Sequence, residues 1–231
     1  MADIVYVLKE SDTNPELVYS LRSVEKNFPH DRVVFYGGKP MGLEPDYSVR
    51  MEQYGTTKWK RVANMLMHIC SNRRLSEDIW LFNDDFFVML PFEDEQPMYD
   101  GTLAEHILHI ERRHQNLPTT YTMQLRHAME ALEDEGLPTL NYAVHMPMRI
   151  NRAKMRETLE RFKDVPMFRS MYGNMWRIGG VNVKDCKIVG LDRLPLGTQT
   201  FVSTDDKAFA NGAVGEYIRE RFTEPSRWEV K

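Results

Sequence analysis

The first 82 residues alternate short apolar runs with amphipathic segments, and this alternation restricts the chain to an α/β fold. The apolar runs at residues 4–8, 32–36 and 79–82 are rich in β-branched and aromatic side chains and are predicted to be buried strands. Between them, apolar residues at helical spacing predict helices over residues 14–27 and 58–71. Strand, helix, strand, helix and strand in this order imply parallel pairing with right-handed crossovers.

The pattern becomes less regular after residue 90. Helices are expected near residues 102–115, 123–135, 151–162 and 215–222, and short strands over residues 141–145 and 200–203. No internal repeat, low-complexity stretch or linker separates the two parts of the chain. The sequence therefore predicts a single domain over residues 1–231, in which residues 101–231 build onto a regular first half at residues 1–100.

The composition excludes several classes of protein. The chain has 231 residues, 42% of them hydrophobic and 28% charged, which is typical of a globular protein. Cys70 and Cys186 are far apart and in no CxxC pair, so neither a disulfide scaffold nor a cysteine-rich metal site is expected. No signal peptide and no run of 18 apolar residues is found, so we expect a soluble cytoplasmic protein without a membrane span.

Charge is distributed unevenly along a chain whose net charge is −4. Residues 56–76 contain five bases and no acid, whereas residues 77–100 contain eight acids and no base. Residues 149–163 contain six bases and two acids. Blocks of opposite sign indicate local binding sites rather than one uniform electrostatic field.

The strongest functional signal is an acidic triplet inside the apolar run IWLFNDDFFVML at residues 79–90. Adjacent carboxylates among large apolar residues cost several kcal/mol to bury unless they are paired or bind a cation. Mg²⁺ and Mn²⁺ prefer such oxygen ligands. In an extended segment Asn83 and Asp85 point to one side and Asp84 to the other. The alternative is a solvated turn between two strands.

The triplet follows a predicted strand, at the edge where open α/β sheets bind ligands. A metal or nucleotide role is therefore predicted for it. A dinucleotide fingerprint GxGxxG is absent, which argues against NAD or FAD.

This arrangement resembles the GT-A glycosyltransferases, whose Asp-x-Asp motif holds a divalent cation and a nucleotide sugar. The chain is more closely similar to the TET-associated glycosyltransferases of bacteriophages, which place sugars on hydroxymethylated pyrimidines during DNA hypermodification. The similar segments are DIVYVLKES, NPELVYSLRSV, LFNDDFFVM, NYAVHMPM, RSMYGN and FVSTDDKAF with GAVGEYI, and they cover nearly the whole chain. SLRSV and FNDDFF also resemble, more faintly, the Stealth sugar-phosphate transferases.

The resemblance implies a GT-A-like Rossmann-type sheet with helices, in which residues 1–100 bind a nucleotide sugar, plus an irregular α+β acceptor half over residues 101–231. It implies a hexosyltransferase that uses Mn²⁺ or Mg²⁺ and a UDP-sugar. The acceptor would be a hydroxyl group such as that of a 5-hydroxymethylpyrimidine in phage DNA, in the cytoplasm of an infected bacterium. A Stealth-like sugar-phosphate transferase and a non-enzymatic nucleotide- or DNA-binding protein are the alternatives. Oligomeric state, sugar and stereochemical outcome stay open.

The resemblance also implies roles for single residues. Asn83 stands where the family motif has its first Asp, which leaves Asp85 as the expected metal ligand and Asn83 and Asp84 as donor contacts. Many GT-A enzymes add a downstream histidine to the metal, and His145 fits because it ends a predicted apolar strand. A core or capping histidine is the alternative reading of His145.

Further donor contacts are expected in the loop after the first strand, in the second helix and near residue 169. The start of the second helix offers free N–H groups and positive dipole charge to a phosphate. The alternative for Lys9 and Asp12 is a turn, and for the basic start of the second helix a solvated surface. The expected contacts are Lys9 and Asp12 for base and ribose, Lys58 for phosphate, Asn64 for base or ribose, and Arg169 with Tyr172 and Asn174 for the diphosphate.

An inverting transferase also needs a general base that takes the proton of the acceptor hydroxyl. Asp205 or Asp206 is expected in this role. The alternative is a helix cap, with Ser203 or Thr204 capping the helix that follows.

Contacts with a DNA acceptor are expected at two places. A base that is extruded from the duplex stacks on aromatic rings. The candidates for this contact are Tyr142, Tyr172 and Trp176. The alternative role of these side chains is core packing. The basic stretch at residues 149–163, with Arg152 and Arg156 one helical turn apart, is a candidate for phosphate contacts. A plain amphipathic surface helix is the alternative.

Overall fold

The computed structural model describes residues 2–93, 96–190 and 199–230. The strands within these residues are β1 (Asp3–Leu8), β2 (Val33–Gly37), β3 (Tyr47–Arg50), β4 (Asp78–Phe82), β5 (Phe86–Val88), β6 (Met98–Tyr99), β7 (Met148–Asn151), β8 (Val181–Asn182), β9 (Lys187–Ile188) and β10 (Phe201–Thr204). The helices are α1 (Pro15–Asn27), α2 (Lys58–Ser71), α3 (Leu103–Arg113), α4 (Thr120–Asp134), α5 (Arg152–Arg161), α6 (Phe168–Met175), α7 (Asp206–Asn211) and α8 (Ala213–Arg221).

The centre of the fold is a five-stranded sheet in the order β3-β2-β1-β4-β7. The strands β3, β2, β1 and β4 pair in parallel, and β7 pairs with β4 in the antiparallel direction. The predicted α/β class, with a mainly parallel Rossmann-type sheet and helices around it, is therefore confirmed.

Helices cover both faces of this sheet, which explains why its central strands are apolar on both sides. On one face, Leu21 of α1 packs into the same core cluster as Tyr6 of β1. On the other face, Met65 and Ile69 of α2 share a cluster with Val5 of β1. Within the described residues, no helix is both long and apolar enough to cross a bilayer.

Glycine brings the ends of β1 and β2 close together. Gly37, the last residue of β2, has a φ of 100°, and a Cβ there would lie 2.2 Å from the Leu8 carbonyl oxygen. That distance excludes any side chain, so the approach of the two strands requires glycine. The Gly38 amide then donates to the Leu8 carbonyl at 3.1 Å. The carboxyl ends of the two strands thus form one compact edge.

A smaller sheet in the order β5-β10-β9 lies next to the carboxyl end of β4. β10 pairs with β5 in the antiparallel direction and with β9 in parallel. Phe87 and Val202 of this sheet pack against Phe209 of α7 and Ile218 of α8. Because β10 runs opposite to β5, the end of β10 lies beside the start of β5.

Most of the expected elements of the second half are present. The structure has helices α3, α4, α5 and α8 where they were expected near residues 102–115, 123–135, 151–162 and 215–222, and it has β10 where a strand was expected over residues 200–203.

The prediction of a strand over residues 141–145 is wrong. Side chains satisfy its backbone instead: the Tyr142 amide donates to Ser170 and the His145 amide to Asp185. Helix α6, which has no side-chain cap, was not expected, and neither were the short strands β3, β6, β7, β8 and β9. The division of the domain at residue 100 stays a prediction.

Candidate active site at the carboxyl edge of the sheet

The acidic triplet forms a turn at the carboxyl edge of the main sheet. Asn83, Asp84 and Asp85 connect β4 to β5, and the Phe86 amide donates to the Asn83 carbonyl at 3.3 Å. The alternation expected for an extended segment therefore does not apply, because the chain reverses here. The turn lies at the sheet edge where parallel α/β sheets bind ligands.

Asp85 is held in a partly buried ion pair. Its Oδ2 atom accepts hydrogen bonds from the Lys187 ammonium and, at 2.9 Å, from the Ser203 hydroxyl. The side chain of Asp85 is 13% exposed and that of Lys187 is 22% exposed. Lys187 also donates to the Thr204 carbonyl oxygen. The charge of Asp85 is thus balanced by an ammonium group that the sequence analysis did not identify.

Asp84 contacts the start of α1. Its Oδ2 atom accepts a hydrogen bond from Asn14 Nδ2 at 2.7 Å, while Asn14 Oδ1 caps α1 by accepting from the Leu17 amide at 3.0 Å. Burial raises the pKa of Asp84, the hydrogen bond from Asn14 offsets part of the increase, and the charge of Asp85 adds to it. The turn and the helix start therefore hold each other in place.

Glu16, which the sequence analysis did not single out, completes the acidic cluster. Its Oε1 atom accepts a hydrogen bond from the Thr204 hydroxyl at 2.7 Å. Burial raises the pKa of Glu16 to about 7; the Thr204 hydrogen bond opposes this increase, and the charges of Asp85, Asp84 and Asp206 add to it. The sequence signal was weak, since an acidic residue in the first turn of a helix is common for its interaction with the helix dipole.

The raised pKa of Glu16 predicts a pH-dependent stability. Between the unfolded pKa near 4.5 and the folded pKa of about 7, the folded state binds more protons, so ionisation of Glu16 destabilises it as the pH rises. Glu16→Gln keeps an acceptor for Thr204 without the charge. We expect it to raise the free energy of unfolding by about 1–2 kcal/mol at pH 8, allowing for partial exposure, and to have little effect at pH 4.5. Urea unfolding at both pH values measures this, and an effect independent of pH would contradict it.

His145 pairs with Asp185. The Nδ1 atom of His145 lies 2.6 Å from Asp185 Oδ2, and the His145 amide donates to Asp185 Oδ1 at 2.9 Å. Burial alone would raise the pKa of Asp185, but the hydrogen bond and charge of His145 outweigh it and lower the pKa. Asp185 thus fixes both the ring and the backbone of His145.

A divalent metal at Asp85 would compete with Lys187 for the carboxylate. The Lys187 ammonium lies against Asp85 Oδ2 and already supplies a positive charge there, whereas the pairing of His145 Nδ1 with Asp185 leaves the Nε2 atom of His145 available to a ligand. Within the described part of the chain, no three His, Cys, Asp or Glu side chains are placed to hold a metal ion. The assignment of Asp85 and His145 as metal ligands stays a prediction from sequence.

Arg169 is buried beneath the site. Its Nη1 atom donates to the carbonyl oxygens of Val144 and Met146, at 3.0 and 2.7 Å, and its guanidinium lies over the Phe86 ring. Burial lowers the pKa of Arg169 to about 10, and the charges of Asp85 and Asp185 oppose this decrease. Arg169 therefore stays charged at neutral pH and supports the segment around His145, in addition to any contact with a donor.

Asp205 caps a helix. Its Oδ1 atom accepts from the Ala208 amide at 2.7 Å, which makes Asp205 the N-cap of α7 in place of Ser203 or Thr204. The backbone hydrogen bonds from Ala208 and Gly190 lower its pKa, which weakens it as a base. Asp206 is exposed in the first turn of α7 and lies near enough to Glu16 to raise its pKa.

The donor contacts expected near the helix starts lie around the same sheet edge without joining the acidic cluster. Lys9 and Asp12 are exposed after β1, and Lys58 is exposed at the start of α2. Asn64 is engaged within the protein, since its Nδ2 atom donates to the Tyr54 carbonyl at 2.9 Å. Their roles toward a ligand stay predictions.

A cleft of about 1190 Å³ opens beside the triplet. Among its described lining residues are Asn83 of the turn, His145 and Tyr121. Positive charge dominates the lining, although the whole chain carries a net charge of −4. The cationic lining residues are Arg112, Arg113, Arg169, Lys184 and Lys187, against the acidic Asp100, Glu105 and Asp185. A cleft of this kind concentrates anions.

Of the aromatic side chains expected to stack a base, Tyr142 and Tyr172 are buried in the core, and Trp176 is half-buried and packs against it. The Tyr142 hydroxyl donates to the Gly179 carbonyl at 2.8 Å, and the Tyr172 hydroxyl accepts from the Asn151 amide at 2.9 Å. Trp176 Nε1 donates to the Thr158 hydroxyl at 3.1 Å. Core packing is thus the role that their contacts indicate.

The basic helix expected to contact DNA is also engaged within the protein. Arg152 donates to the carbonyl oxygens of Ser76, Cys70 and Leu75 at 2.6, 2.9 and 3.0 Å. Arg156 pairs with Glu160 on the same helix at 2.8 Å. Arg152 joins α5 to the segment after α2, so its first role is structural.

The chain matches no protein-family model and no curated protein sequence. Its fold is similar to that of the galactosyltransferase LgtC, solved with donor and acceptor sugar analogs, with 13% identity, 96% of each chain covered and a TM-score of 0.49. An active-site mutant of LgtC gives 13% identity, coverage of 95% of this chain and 94% of the other, and a TM-score of 0.46. Mouse xyloside xylosyltransferase 1 gives 9% identity, coverage of 99% and 96%, and a TM-score of 0.36. Likenesses at this level do not assign an activity, so the function has to be inferred from the residues of the site.

Proposed function

We propose that the chain is a glycosyltransferase that moves a hexose from a nucleoside-diphosphate sugar to a hydroxyl acceptor. The observation that carries this proposal is the acidic turn at residues 83–85, which lies at the carboxyl edge of a parallel sheet and whose first residue, Asn83, lines a positively charged cleft. The resemblance of segments along the chain to GT-A glycosyltransferases supports the same activity. UDP as the nucleotide and a 5-hydroxymethylpyrimidine in DNA as the acceptor are finer proposals that rest on this resemblance alone.

The charge of the cleft suits such a donor. A nucleoside-diphosphate sugar carries its negative charge on the two phosphates, next to the bond that breaks. In the transfer, the bond between the anomeric carbon and the diphosphate oxygen breaks, and its electron pair leaves with the diphosphate. Fixed cations beside that oxygen stabilise the developing charge and so accelerate the reaction. Lys187 and Arg169 are fixed cations that line the cleft.

The acceptor supplies the other half of the reaction. Its hydroxyl oxygen forms the new bond to the anomeric carbon and loses its proton to a base. Of the two bases expected from the sequence, Asp205 is engaged in capping α7, so we propose Asp206 for this role in an inverting transfer.

Product analysis tests the activity. The protein is incubated with UDP-, GDP-, ADP- and CDP-hexoses and with hydroxymethylated DNA as the acceptor, long enough to detect slow hydrolysis by water as well. The released nucleotides are separated by ion-exchange chromatography. We expect release of the nucleoside diphosphate from one of these donors. Release of the nucleoside monophosphate would instead favour the sugar-phosphate transferase. No release from any donor would contradict an enzymatic function and favour a binding protein.

A further inference from the structure

We propose that the ammonium group of Lys187 takes the place of a divalent cation at Asp85 and binds the donor diphosphate directly. This inference rests on the proposed function and specifies how its site holds the donor. It differs from the expectation of a Mn²⁺ or Mg²⁺ ion at the same carboxylate.

The first support is the position of Lys187. Its Nζ atom lies against Asp85 Oδ2, the atom that also accepts from the Ser203 hydroxyl. A metal at this oxygen would have to displace the ammonium. Displacement would leave a poorly solvated lysine without its carboxylate partner, and removing one partner of such a pair costs several kcal/mol.

The second support is the unused hydrogen-bonding capacity of Lys187. An ammonium group has three donors. Two of them reach Asp85 and the Thr204 carbonyl oxygen within the described structure. Lys187 also lines the cleft, as does Asn83 of the acidic turn. One donor is therefore left for an anion in the cleft, and a phosphate oxygen is a suitable acceptor for a charge-assisted hydrogen bond.

The third support is the rigidity of the attachment. Lys187 is the first residue of β9 and lies opposite Ser203 of β10 in the parallel register. The amide of Asp205, just after β10, donates to the carbonyl of Ile188 at 3.1 Å. A cation on paired strands needs little reorganisation when charge develops on the leaving group, which is the condition for electrostatic catalysis.

Nucleotide binding with and without metal tests the inference. UDP, GDP, ADP and CDP are titrated in turn into the protein by calorimetry, once in EDTA and once in Mn²⁺. For the nucleotide that binds, we expect dissociation constants that agree within about threefold in the two conditions. Lys187→Met should weaken binding in EDTA at least about tenfold, because a charge-assisted hydrogen bond is lost.

Two further variants keep this test specific. Lys163→Met removes an exposed lysine that does not line the cleft, and it should bind nucleotide as the wild type does. If Lys187→Met does not fold because Asp85 is left unpaired, Asp85→Asn combined with Lys187→Met removes both charges together. The double variant should fold, as judged by circular dichroism, and still bind nucleotide weakly in EDTA.

The outcomes separate this inference from the proposed function. If the wild type binds nucleotide only in the presence of Mn²⁺, the proposed role of Lys187 is wrong, but the proposed glycosyltransferase activity is unaffected. The role of Lys187 is also wrong if a folded Lys187 variant binds nucleotide in EDTA as tightly as the wild type does. If no nucleotide binds and no donor is cleaved, the proposed function fails, and the inference fails with it.

Discussion

Asp85→Asn is expected to lower the rate of donor cleavage at least about 100-fold, the size of effect seen when one preorganised electrostatic contact is removed from an active site. Asp85 holds the Lys187 ammonium at the carboxyl edge of the sheet. Asparagine preserves the shape of the side chain but not its charge, so Lys187 loses its ion-pair partner and its fixed position. Steady-state kinetics with the donor identified by product analysis give kcat and KM separately.

Asp134→Asn is the matched control for this variant. Asp134 is exposed at the end of α4, and the same change there should leave the kinetics unaltered. Thermal unfolding should show that both variants stay folded. Wild-type kcat in Asp85→Asn would mean that the acidic turn has no part in the reaction.

Arg152→Met is expected to lower the free energy of unfolding by about 3–5 kcal/mol, because three backbone carbonyls lose a charged donor at once. These carbonyls belong to Cys70 in the last turn of α2 and to Leu75 and Ser76 between α2 and β4. Methionine keeps the length and apolar part of the side chain, so the loss reports mainly on the hydrogen bonds. Urea unfolding followed by circular dichroism measures the change.

Arg156→Met is the comparison, since Arg156 forms an exposed ion pair with Glu160 on the same helix. Such pairs contribute about 0.3–0.5 kcal/mol. Similar stability losses in the two variants would show that the contacts of Arg152 do not stabilise the fold. A loss of DNA binding in an Arg152 variant cannot be assigned to a lost phosphate contact until its folding has been measured.

Local patterns were sufficient to predict the core of the fold. The strands β1, β2 and β4 are continuous apolar runs, because helices cover both faces of the sheet. The helices α1 and α2 follow from apolar spacing, and α1 also from Asn14 before Pro15. The cap of α2 by Thr57 became apparent only in the structure. Because the acidic triplet follows β4, the predicted parallel pairing also places it at the carboxyl edge of the sheet.

The partners of the triplet could not be predicted in the same way. Lys187 is 102 residues from Asp85 along the chain, and it reaches Asp85 only because β9 pairs with β10 and β10 with β5. Glu16 joins the cluster through Thr204, which is 188 residues away. No motif assigns a role to either residue, so their tertiary contacts are needed to reveal them.

The region around His145 shows a different limit. Residues 141–145 are apolar enough for a strand, yet the amides of Tyr142 and His145 donate to the side chains of Ser170 and Asp185. Burial alone produces the same apolar pattern as a strand, and a sequence does not distinguish side-chain from backbone acceptors. The strand that pairs with β4 forms after Pro147 instead, as β7.

The decisive experiment is a crystal structure of the protein with the nucleoside diphosphate that it releases, grown without divalent metal. We expect the diphosphate in the cleft beside residues 83–85, with a phosphate oxygen within hydrogen-bond distance of Lys187 Nζ and Asp85 still paired with Lys187. A nucleotide bound away from the carboxyl edge of the sheet would show that the acidic turn and Lys187 do not form the donor site.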